Sequence, residues 1–368
     1  MEMFRRYGFD WTLFLAALIL VTIGVIMVFN ASSAIATDKL NKPFHFAFNQ
    51  VGGAAFGFIL ILILVAVRKP FYESKWVVYG LLGLTYGLLA LCLTMPEVAA
   101  THRWIIVAGI RFQPSELAKL SLIIFLARVI SSSRDRTNDL KVFLPAVFAL
   151  GGAVLLILIE PDFGTALLTF LIGALLLHIG GLRWKNFFYL GLISIPVFAM
   201  FILVAQYRIV RVLEFFTKNK DLQRASYQVA QSKLAVGAGG LFGASFGEGT
   251  QKYFLPAPHT DFIFSVIAEE LGLIGTLAIL GLFAVIVWRG LTISMKATTY
   301  VSQLIAAGMT FLLAIQALVN VSVVLGLSPA KGVPLPLVSF GRSSLLCSLL
   351  AIGILLHISQ RKGEVRGA

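Results

Sequence analysis

Apolar positions occur along this chain in long blocks. Ten runs rich in Leu, Ile, Val and Phe occupy residues 12–32, 46–67, 77–95, 114–130, 142–159, 163–181, 187–205, 262–288, 302–327 and 335–358. Most reach the roughly 17 to 25 residues that a membrane-spanning helix needs. They lack the period-2 alternation of a barrel strand, and only helices or closed barrels satisfy the backbone in lipid. The pattern predicts an all-α, polytopic membrane protein of about ten transmembrane helices, forming one domain over residues 1–368.

The composition excludes an ordinary soluble enzyme. Hydrophobic residues make up 58% of the chain and charged residues 13%, whereas soluble domains carry about 25% charged residues. The first run follows Arg5 and Arg6 as a signal peptide would, but its length and the later spans indicate a retained helix. Cys92 and Cys347 lie in apolar runs, where they resemble small core residues rather than a disulfide or metal site.

The basic residues are distributed unevenly among the loops. Loops rich in Lys and Arg alternate with poorer ones, so the positive-inside rule places both termini in the cytoplasm. This bias and contact with anionic membrane lipids account for most of the net charge of +13, and no nucleic acid partner is expected. The sequence therefore predicts a multi-pass protein of the cytoplasmic membrane.

One connection is far longer than the others. Residues 206–260 follow the seventh run and precede the eighth, and the topology puts this large loop outside the cell; long ordered loops are usually functional. Residues 207–216 suit an interfacial amphipathic helix. The glycines of residues 237–249 permit tight backbone geometry or close approach of a ligand. Neither the lysine of a P-loop nor a preceding Rossmann strand supports a nucleotide site there.

Ionisable residues at membrane depth are candidates for a functional site. Glu116 and Lys119 lie three apart after Pro114, so a helix that begins at Pro114 puts both on one face. They form either a structural ion pair or part of a substrate cavity. Glu269 and Glu270 lie about eight residues into the helix after Asp261, roughly 12 Å deeper by helical rise. We expect one of them to hydrogen-bond within the bundle, and a proton relay is the alternative.

Further polar residues gather toward the outer side. Arg103 and Arg111 flank a short loop and could bind lipid headgroups or a diphosphate. Asp162, in the segment 160–164, lies at an outer helix start, where helix capping alone could explain its acidic side chain. Lys331 lies in a proline-rich outer turn that leads to a helix bearing Arg342 and the neighbouring Ser343. An arginine one or two turns into a span should point at a cavity.

The residues His259, Thr260 and Asp261 immediately precede the eighth apolar run. One interpretation makes Thr260 or Asp261 the N-cap of that helix. The other makes Asp261 a general base at the membrane surface, which requires a tuned pKa and reach to a hydroxyl group. One residue can do both.

Several motifs together resemble the SEDS family of peptidoglycan polymerases. Residues 239–243 read GGLFG, 251–264 read QKYFLPAPHTDFIF and 269–272 read EELG; residues 103–105, 113–119, 161–166 and 331–344 add to the match. The resemblance covers essentially the whole chain. It implies a ten-helix, inverting glycosyltransferase that polymerises lipid II on the outer face and releases undecaprenyl diphosphate. Asp261 is then the catalytic residue, with Glu116, Lys119 and Asp162 in the cavity and His259, Lys331 and Ser343 as further substrate-binding candidates.

The resemblance also implies partners and a cofactor. The partners are a class B penicillin-binding transpeptidase and other divisome proteins, and the diphosphate needs cations or a divalent metal such as Mg or Mn, although no protein metal site is predicted. The compact segment 251–256 and the turn 329–332 favour the division branch, FtsW, over the elongation branch, RodA. Two positions depart from the family: Ala257 replaces a usual acidic residue, and Arg342 replaces a usual glycine. The first lowers the negative charge near Asp261, and the second changes the outer helix entrance.

Two other functions compete with polymerisation. A lipid II flippase would need charges spread over the full membrane depth, whereas the polar motifs here crowd toward the outer side, Glu269 and Glu270 excepted. A noncatalytic scaffold leaves Glu116, Lys119 and Glu269 without a role. It also predicts that replacing Asp261 leaves polymerisation unaffected.

Overall fold

The computed structural model describes residues 8–67, 69–96, 102–107, 110–132, 140–204, 209–210, 225–329 and 332–361. The longer helices in these ranges are α1 (Trp11–Leu40), α2 (His45–Ala66), α3 (Lys75–Thr94), α4 (Pro114–Ser131), α5 (Leu140–Ile159), α6 (Phe163–Ile179), α7 (Trp184–Val204), α8 (Ala225–Gly239), α9 (Ile263–Met295), α10 (Tyr300–Val324) and α11 (Arg342–Gln360). Short 3₁₀ turns lie at Phe71–Glu73 and Gln251–Tyr253. Two short strands, β1 (Ile105–Val107) and β2 (Ile110–Phe112), complete the described elements.

Each of the ten apolar runs falls on one of these helices. Helix α8 is the one helix named above that does not correspond to an apolar run. Seven helices of the described chain are long and apolar enough to cross a membrane: α1, α2, α3, α7, α9, α10 and α11. The apolar parts of α5 and α6 are shorter, and α4 carries Glu116, Lys119 and Arg128 within its 18 residues. The chain is therefore a polytopic helical membrane protein, and the count of ten spans stays a prediction.

The all-α expectation has one local exception. Strands β1 and β2 form an antiparallel hairpin in which Ile106 pairs with Arg111. The hairpin occupies the connection between α3 and α4, and its strands satisfy one another's backbone groups. The long segment 206–260 also contains a helix, α8, that the hydropathy pattern did not predict. The predicted amphipathic helix over 207–216 lies almost wholly outside the described residues.

The core of the bundle is formed by α4, α10 and α11. Helix α11 packs against α2 and α10, whereas α9 packs against α1, α8 and α10. Nearly every residue of α11 is buried, but Leu190 is the single buried residue of α7. The polar residues discussed below are therefore carried by the most enclosed helices, where exposure to lipid would be costly.

Helix α9 is broken in its N-terminal third. Its 33 residues include Gly272, whose φ of 65° and ψ of −163° are not helical. The glycine-rich segment after α8 fills the break: the Gly240 carbonyl accepts from Leu273 N at 2.9 Å, and Ala244 N donates to the Glu269 carbonyl at 2.9 Å. Backbone groups freed by the break are thus satisfied by the loop.

Candidate functional site

The backbone of the predicted motif is fixed by two other segments. All three carbonyl groups of residues 259–261 accept a hydrogen bond from a residue distant in sequence. The pairs are His259 O with Phe340 N at 2.9 Å, Thr260 O with Ser339 Oγ at 2.7 Å, and Asp261 O with Asn320 Nδ2 at 2.8 Å. Hydrogen bonds that occupy successive carbonyls hold the main chain in one conformation, so the Asp261 side chain projects from a fixed backbone.

The Asp261 carboxylate is half-buried beside the turn that leads to α11. A Cβ atom built on Gly332 would lie 3.4 Å from Asp261 Oδ2, so the carboxylate lies close to this turn, with space for about one methyl group between them. Lys331, the predicted substrate contact next to it, lies outside the described residues. Helix α9 begins at Ile263 with Phe262 as its N-cap and no capping side chain. The N-cap interpretation of Thr260 and Asp261 is therefore wrong.

The His259 side chain is part of the apolar packing. Its ring lies 4.5 Å from the Phe46 ring and 5.5 Å from the Phe340 ring, measured between centroids, and it is 6% exposed. Burial lowers the pKa of His259 to about 4, because the apolar surroundings disfavour the charged imidazolium. His259 is thus a neutral, buried side chain at pH 7, and its predicted contact with substrate stays a prediction.

Glu116 and Lys119 form the ion pair that their spacing indicated. Lys119 Nζ lies 2.8 Å from Glu116 Oε1, and both residues are buried. Lys119 also donates to Gln316 Oε1 at 3.2 Å. The Gln316 amide nitrogen in turn donates to the Pro334 carbonyl at 3.1 Å. A paired, hydrogen-bonded charge is the form in which ionisable groups persist at membrane depth.

Helix α10 joins this pair to the Asp261 motif. Gln316 and Asn320 lie four residues apart, hence on one helix face. Asn320 donates to both the Asp261 and Val333 carbonyls at 2.8 Å. Val333 directly precedes Pro334, whose carbonyl accepts from Gln316. Sequence reasoning missed both amides. The available signal was two polar side chains at helical spacing in an apolar run.

Asp162 caps a helix and links it to α4. It is the N-cap of α6, and its Oδ1 accepts from Thr165 N at 3.1 Å. Gln113, the N-cap of α4, donates from Nε2 to Asp162 Oδ2 at 2.9 Å and from its backbone N to Ser343 Oγ at 3.0 Å. The predicted capping at Asp162 is confirmed. The structure thus brings Asp162 and Ser343 together through one glutamine.

The region around Arg103 contains a second acid that sequence reasoning left as a possible cap. Glu160 has no exposed surface, and neither of its carboxylate oxygens has a hydrogen-bond partner among the described residues. Burial and, to a lesser extent, the charge of Asp162 raise the pKa of Glu160 to about 8, while Arg103 acts in the opposite direction. Arg103 is half-buried, whereas Arg111 is exposed on β2. Of these two arginines, Arg111 is therefore the one whose side chain is fully accessible to an anion.

The adjacent acids Glu269 and Glu270 both bind the long loop. Glu269 accepts hydrogen bonds from the backbone of Thr250 at 2.7 Å and Gln251 at 3.0 Å. Glu270 pairs with Lys252, whose Nζ lies 2.9 Å from Oε1. The expected hydrogen bond within the bundle is confirmed for Glu270, which also accepts from Asn30 of α1, whereas the partners of Glu269 lie in the loop. Lys252 was missed, because a lysine within a predicted loop carries no signal of burial.

The loop glycines serve close approach of protein backbone. A Cβ atom on Gly239 would lie 1.9 Å from the Ala268 carbonyl oxygen, and one on Gly243 would lie 2.1 Å from that of Glu270. Both distances are far below contact, so only glycine allows the loop to lie against α9. The tight approach predicted for this segment is confirmed, with α9 as the neighbour.

A metal site of protein ligands alone is not found within the described ranges. No three His, Cys, Asp or Glu residues there lie close enough together to hold a metal ion. Of the described carboxylates, those of Asp162, Glu116, Glu269 and Glu270 are already engaged in a cap, in ion pairs or in backbone contacts. A divalent cation would therefore depend on oxygen atoms of a bound diphosphate in addition to protein ligands.

Comparison with known proteins identifies the family. Residues 10–364 match the family of FtsW, RodA and SpoVE, described as "Cell cycle protein". The chain belongs to this FtsW/RodA/SpoVE family. One family relative, "Probable peptidoglycan glycosyltransferase FtsW" of Geobacter sp. (strain M18), is 36% identical over 99% of both chains. Another, "Stage V sporulation protein E" of Bacillus subtilis (strain 168), is 38% identical over 95% of this chain and 97% of its own.

Solved structures of family members share the fold. A chain of a peptidoglycan synthase complex that coordinates polymerization and crosslinking aligns with a TM-score of 0.78 at 28% identity, covering 96% of this chain and 98% of that one. The rod shape determining protein RodA of Thermus thermophilus aligns with a TM-score of 0.71 at 26% identity, with the same coverage. The family resemblance drawn from the sequence motifs is thereby confirmed over nearly the whole of this chain.

Proposed function

We propose that this chain is a peptidoglycan glycosyltransferase that polymerises lipid II into glycan strands on the outer face of the cytoplasmic membrane. One observation carries the proposal: the motif aspartate, Asp261, projects from a backbone whose carbonyls are fixed by α10 and the segment before α11. The relatives named peptidoglycan glycosyltransferase support the reaction class. A fixed carboxylate at the start of a membrane helix is what surface proton transfer requires.

In the proposed reaction Asp261 is the general base. It takes the proton from the 4-hydroxyl group of the acceptor sugar as that oxygen attacks the anomeric carbon of the donor. The new glycosidic bond forms as the bond from the anomeric carbon to the diphosphate oxygen breaks, with inversion of configuration. The electron pair leaves with undecaprenyl diphosphate, so no general acid is needed when positive charge stabilises the leaving group.

The remaining predicted residues have supporting positions in this proposal. Arg111 is exposed, and Arg103 is half-buried beside Glu160; arginine is suited to binding a diphosphate in bidentate fashion. Lys331 is a further cation for the same group. The pair Glu116–Lys119 and the linked Asp162 and Ser343 belong to the enclosed polar layer under the outer face, where they would line the substrate cavity.

A divalent cation such as Mg or Mn remains part of the proposal. Mg²⁺ is usually held by one or two carboxylates together with substrate phosphates. The described residues fit that pattern, since they offer isolated carboxylates rather than a complete cage. When bound, the ion would neutralise charge on the diphosphate, while Asp261 orients and deprotonates the acceptor.

We assign the chain to the division branch and to a crosslinking partner. Several relatives that match over nearly their full length carry the name FtsW, which makes the RodA-like alternative less favoured. A structural neighbour belongs to a complex that couples polymerization with crosslinking. A class B penicillin-binding transpeptidase is therefore the proposed partner, with lipid II as substrate and other divisome proteins nearby.

The test is lipid II polymerisation by the purified chain with its transpeptidase partner. We expect glycan strands from the native chain and a loss of about 100-fold or more from Asp261→Asn, which keeps the side-chain shape but cannot accept the proton. Matched folding is checked by thermal unfolding and by binding of the partner. Equal product from Asp261→Asn would remove the base, whereas no product from either chain would favour a flippase or scaffold.

A further inference from the structure

A buried ion pair ties the long outer loop to two membrane helices. Lys252 Nζ lies 2.9 Å from Glu270 Oε1, and the side chains are 5% and 0% exposed. Asn30 of α1 bonds to both partners: its Oδ1 accepts from Lys252 at 2.7 Å, and its Nδ2 donates to Glu270. One cluster therefore joins α1, α9 and the loop.

Backbone contacts extend this attachment over neighbouring loop residues. Gly247 N donates to Glu270 Oε2 at 3.1 Å, and Lys252 Nζ also donates to the Gly247 carbonyl at 2.9 Å. The Glu269 carboxylate accepts from the amides of residues 250 and 251. Residues 247–252 are thus held at the second and third turns of α9.

The chain between this attachment and α9 is a closed loop. It starts at Lys252, which contacts Glu270 of α9, and it ends at Ile263, where α9 begins. Asp261 lies two residues before Ile263. Its far side is held by Asn320 and the residues before α11. The position of the Asp261 carboxylate therefore depends on both attachments, and the ion pair fixes the start of the loop.

We propose that Lys252 is a positioning residue for Asp261 and acts through its ion pair with Glu270. The inference rests on the proposed role of Asp261 in polymerisation. A base must lie within hydrogen-bonding distance of the hydroxyl group it deprotonates, and a displacement of about 1 Å can cost about 100-fold in rate. Loss of the attachment lets the loop move away from α9 while the contacts of Glu116, Lys119 and Asp162 on other helices stay in place.

The same two helices provide a matched control. Arg289 of α9 forms a second ion pair with Asp10, the N-cap of α1, with Arg289 Nη2 at 2.7 Å from Asp10 Oδ2. Asp10 precedes Asn30 by twenty residues of sequence, or about 30 Å of helix. This pair joins α1 to α9 at the opposite end of the bundle and does not contact the outer loop.

The experiment compares Lys252→Met with Arg289→Met in the full chain bound to its transpeptidase. We expect Lys252→Met to lower kcat for lipid II polymerisation by about tenfold or more and to change KM by less than about threefold. Arg289→Met should lower the thermal unfolding temperature yet keep kcat within about twofold of the native value. Equal kcat values for the two variants at equal folded fractions would overturn the proposal.

A second variant and a second readout keep the outcome decisive. Lys252→Met combined with Glu270→Met removes both buried charges, which often restores folding, and should still show low kcat. Hydrogen exchange of residues 253–262 should be faster in Lys252→Met but not in Arg289→Met. If the native chain made no glycan, the proposed function would fail, but unchanged exchange in Lys252→Met is what would contradict positioning.

Discussion

Two residues of one motif, His259 and Asp261, have opposite surroundings. The His259 ring is enclosed by Phe46 and Phe340, whereas the Asp261 carboxylate is half-buried beside Gly332. They lie two positions apart in a non-helical turn, so their side chains point to different environments. At the residue scale the motif therefore combines a packing residue with a residue that can reach a substrate.

The burial of His259 predicts a pH-dependent stability. Its pKa is 6.5 when unfolded and about 4 when folded, so the unfolded state binds more protons between these values. Stability is therefore full above pH 6.5 and falls as the pH drops toward 4, by up to roughly 3 kcal/mol. His259→Gln lacks this titration. Thermal unfolding of both chains between pH 4 and 7.5 should show the steeper loss in the native chain.

Matched pH profiles for the two chains would contradict this assignment. At pH 7.5 the native imidazole is neutral in both states, so any difference measured there reports the packing of the ring against Phe46 and Phe340. Subtracting that difference isolates the titration. Glu160, with a pKa raised to about 8 by burial, is unchanged between the two chains and cancels from the comparison.

At the scale of elements, the broken helix α9 and the loop after α8 pack together and satisfy each other's backbone groups. The break at Gly272 leaves backbone groups that residues 240–244 satisfy. The loop can approach only because Gly239 and Gly243 have no side chains. The glycine density visible in the sequence is thus explained by contact between two segments that are about thirty residues apart.

Two glycines with the same backbone conformation test this explanation. Gly243 has φ +84° and Gly247 has φ +89°, but a Cβ atom would meet the Glu270 carbonyl only at Gly243. Alanine at either position costs about 1 kcal/mol for the left-handed conformation. Gly243→Ala adds a steric cost of about 1 to 3 kcal/mol. Thermal unfolding should therefore rank Gly243→Ala well below Gly247→Ala, and equal values would contradict the close contact.

At the scale of the whole molecule, the orientation in the membrane decides where the site acts. The positive-inside rule places the termini in the cytoplasm and the long loop outside. This orientation stays a prediction, and it has a direct test. Exposed Glu248 lies in the long loop, and exposed Lys185 lies in the first turn of α7. The two native cysteines are buried and should give little background.

The labelling experiment uses Glu248→Cys and Lys185→Cys in cells from which the layers outside the cytoplasmic membrane have been removed while that membrane stays intact. A membrane-impermeant maleimide should modify the cysteine at position 248 and should reach position 185 only after the membrane is permeabilised. The opposite pattern would reverse the topology and would place Asp261 on the cytoplasmic side, where polymerisation of an outside glycan cannot occur.

The sequence by itself determined the class of the molecule and the identity of its motifs. Blocks of apolar residues fix helices because lipid leaves the backbone no other local partner. The pairing of Glu116 with Lys119 also followed from sequence, since residues three apart on one helix must be neighbours. Family membership followed from contiguous motifs such as residues 251–264.

Only the tertiary structure decided which distant residues meet at the site. More than two hundred positions separate Asn30 from its partners Lys252 and Glu270. No local periodicity in the sequence brings these residues together. The β hairpin, the break at Gly272 and the contact of Asn320 with Asp261 likewise depend on packing between helices. Local periodicity records which face of a helix is apolar, whereas the partner that covers this face is set by the arrangement of the whole bundle.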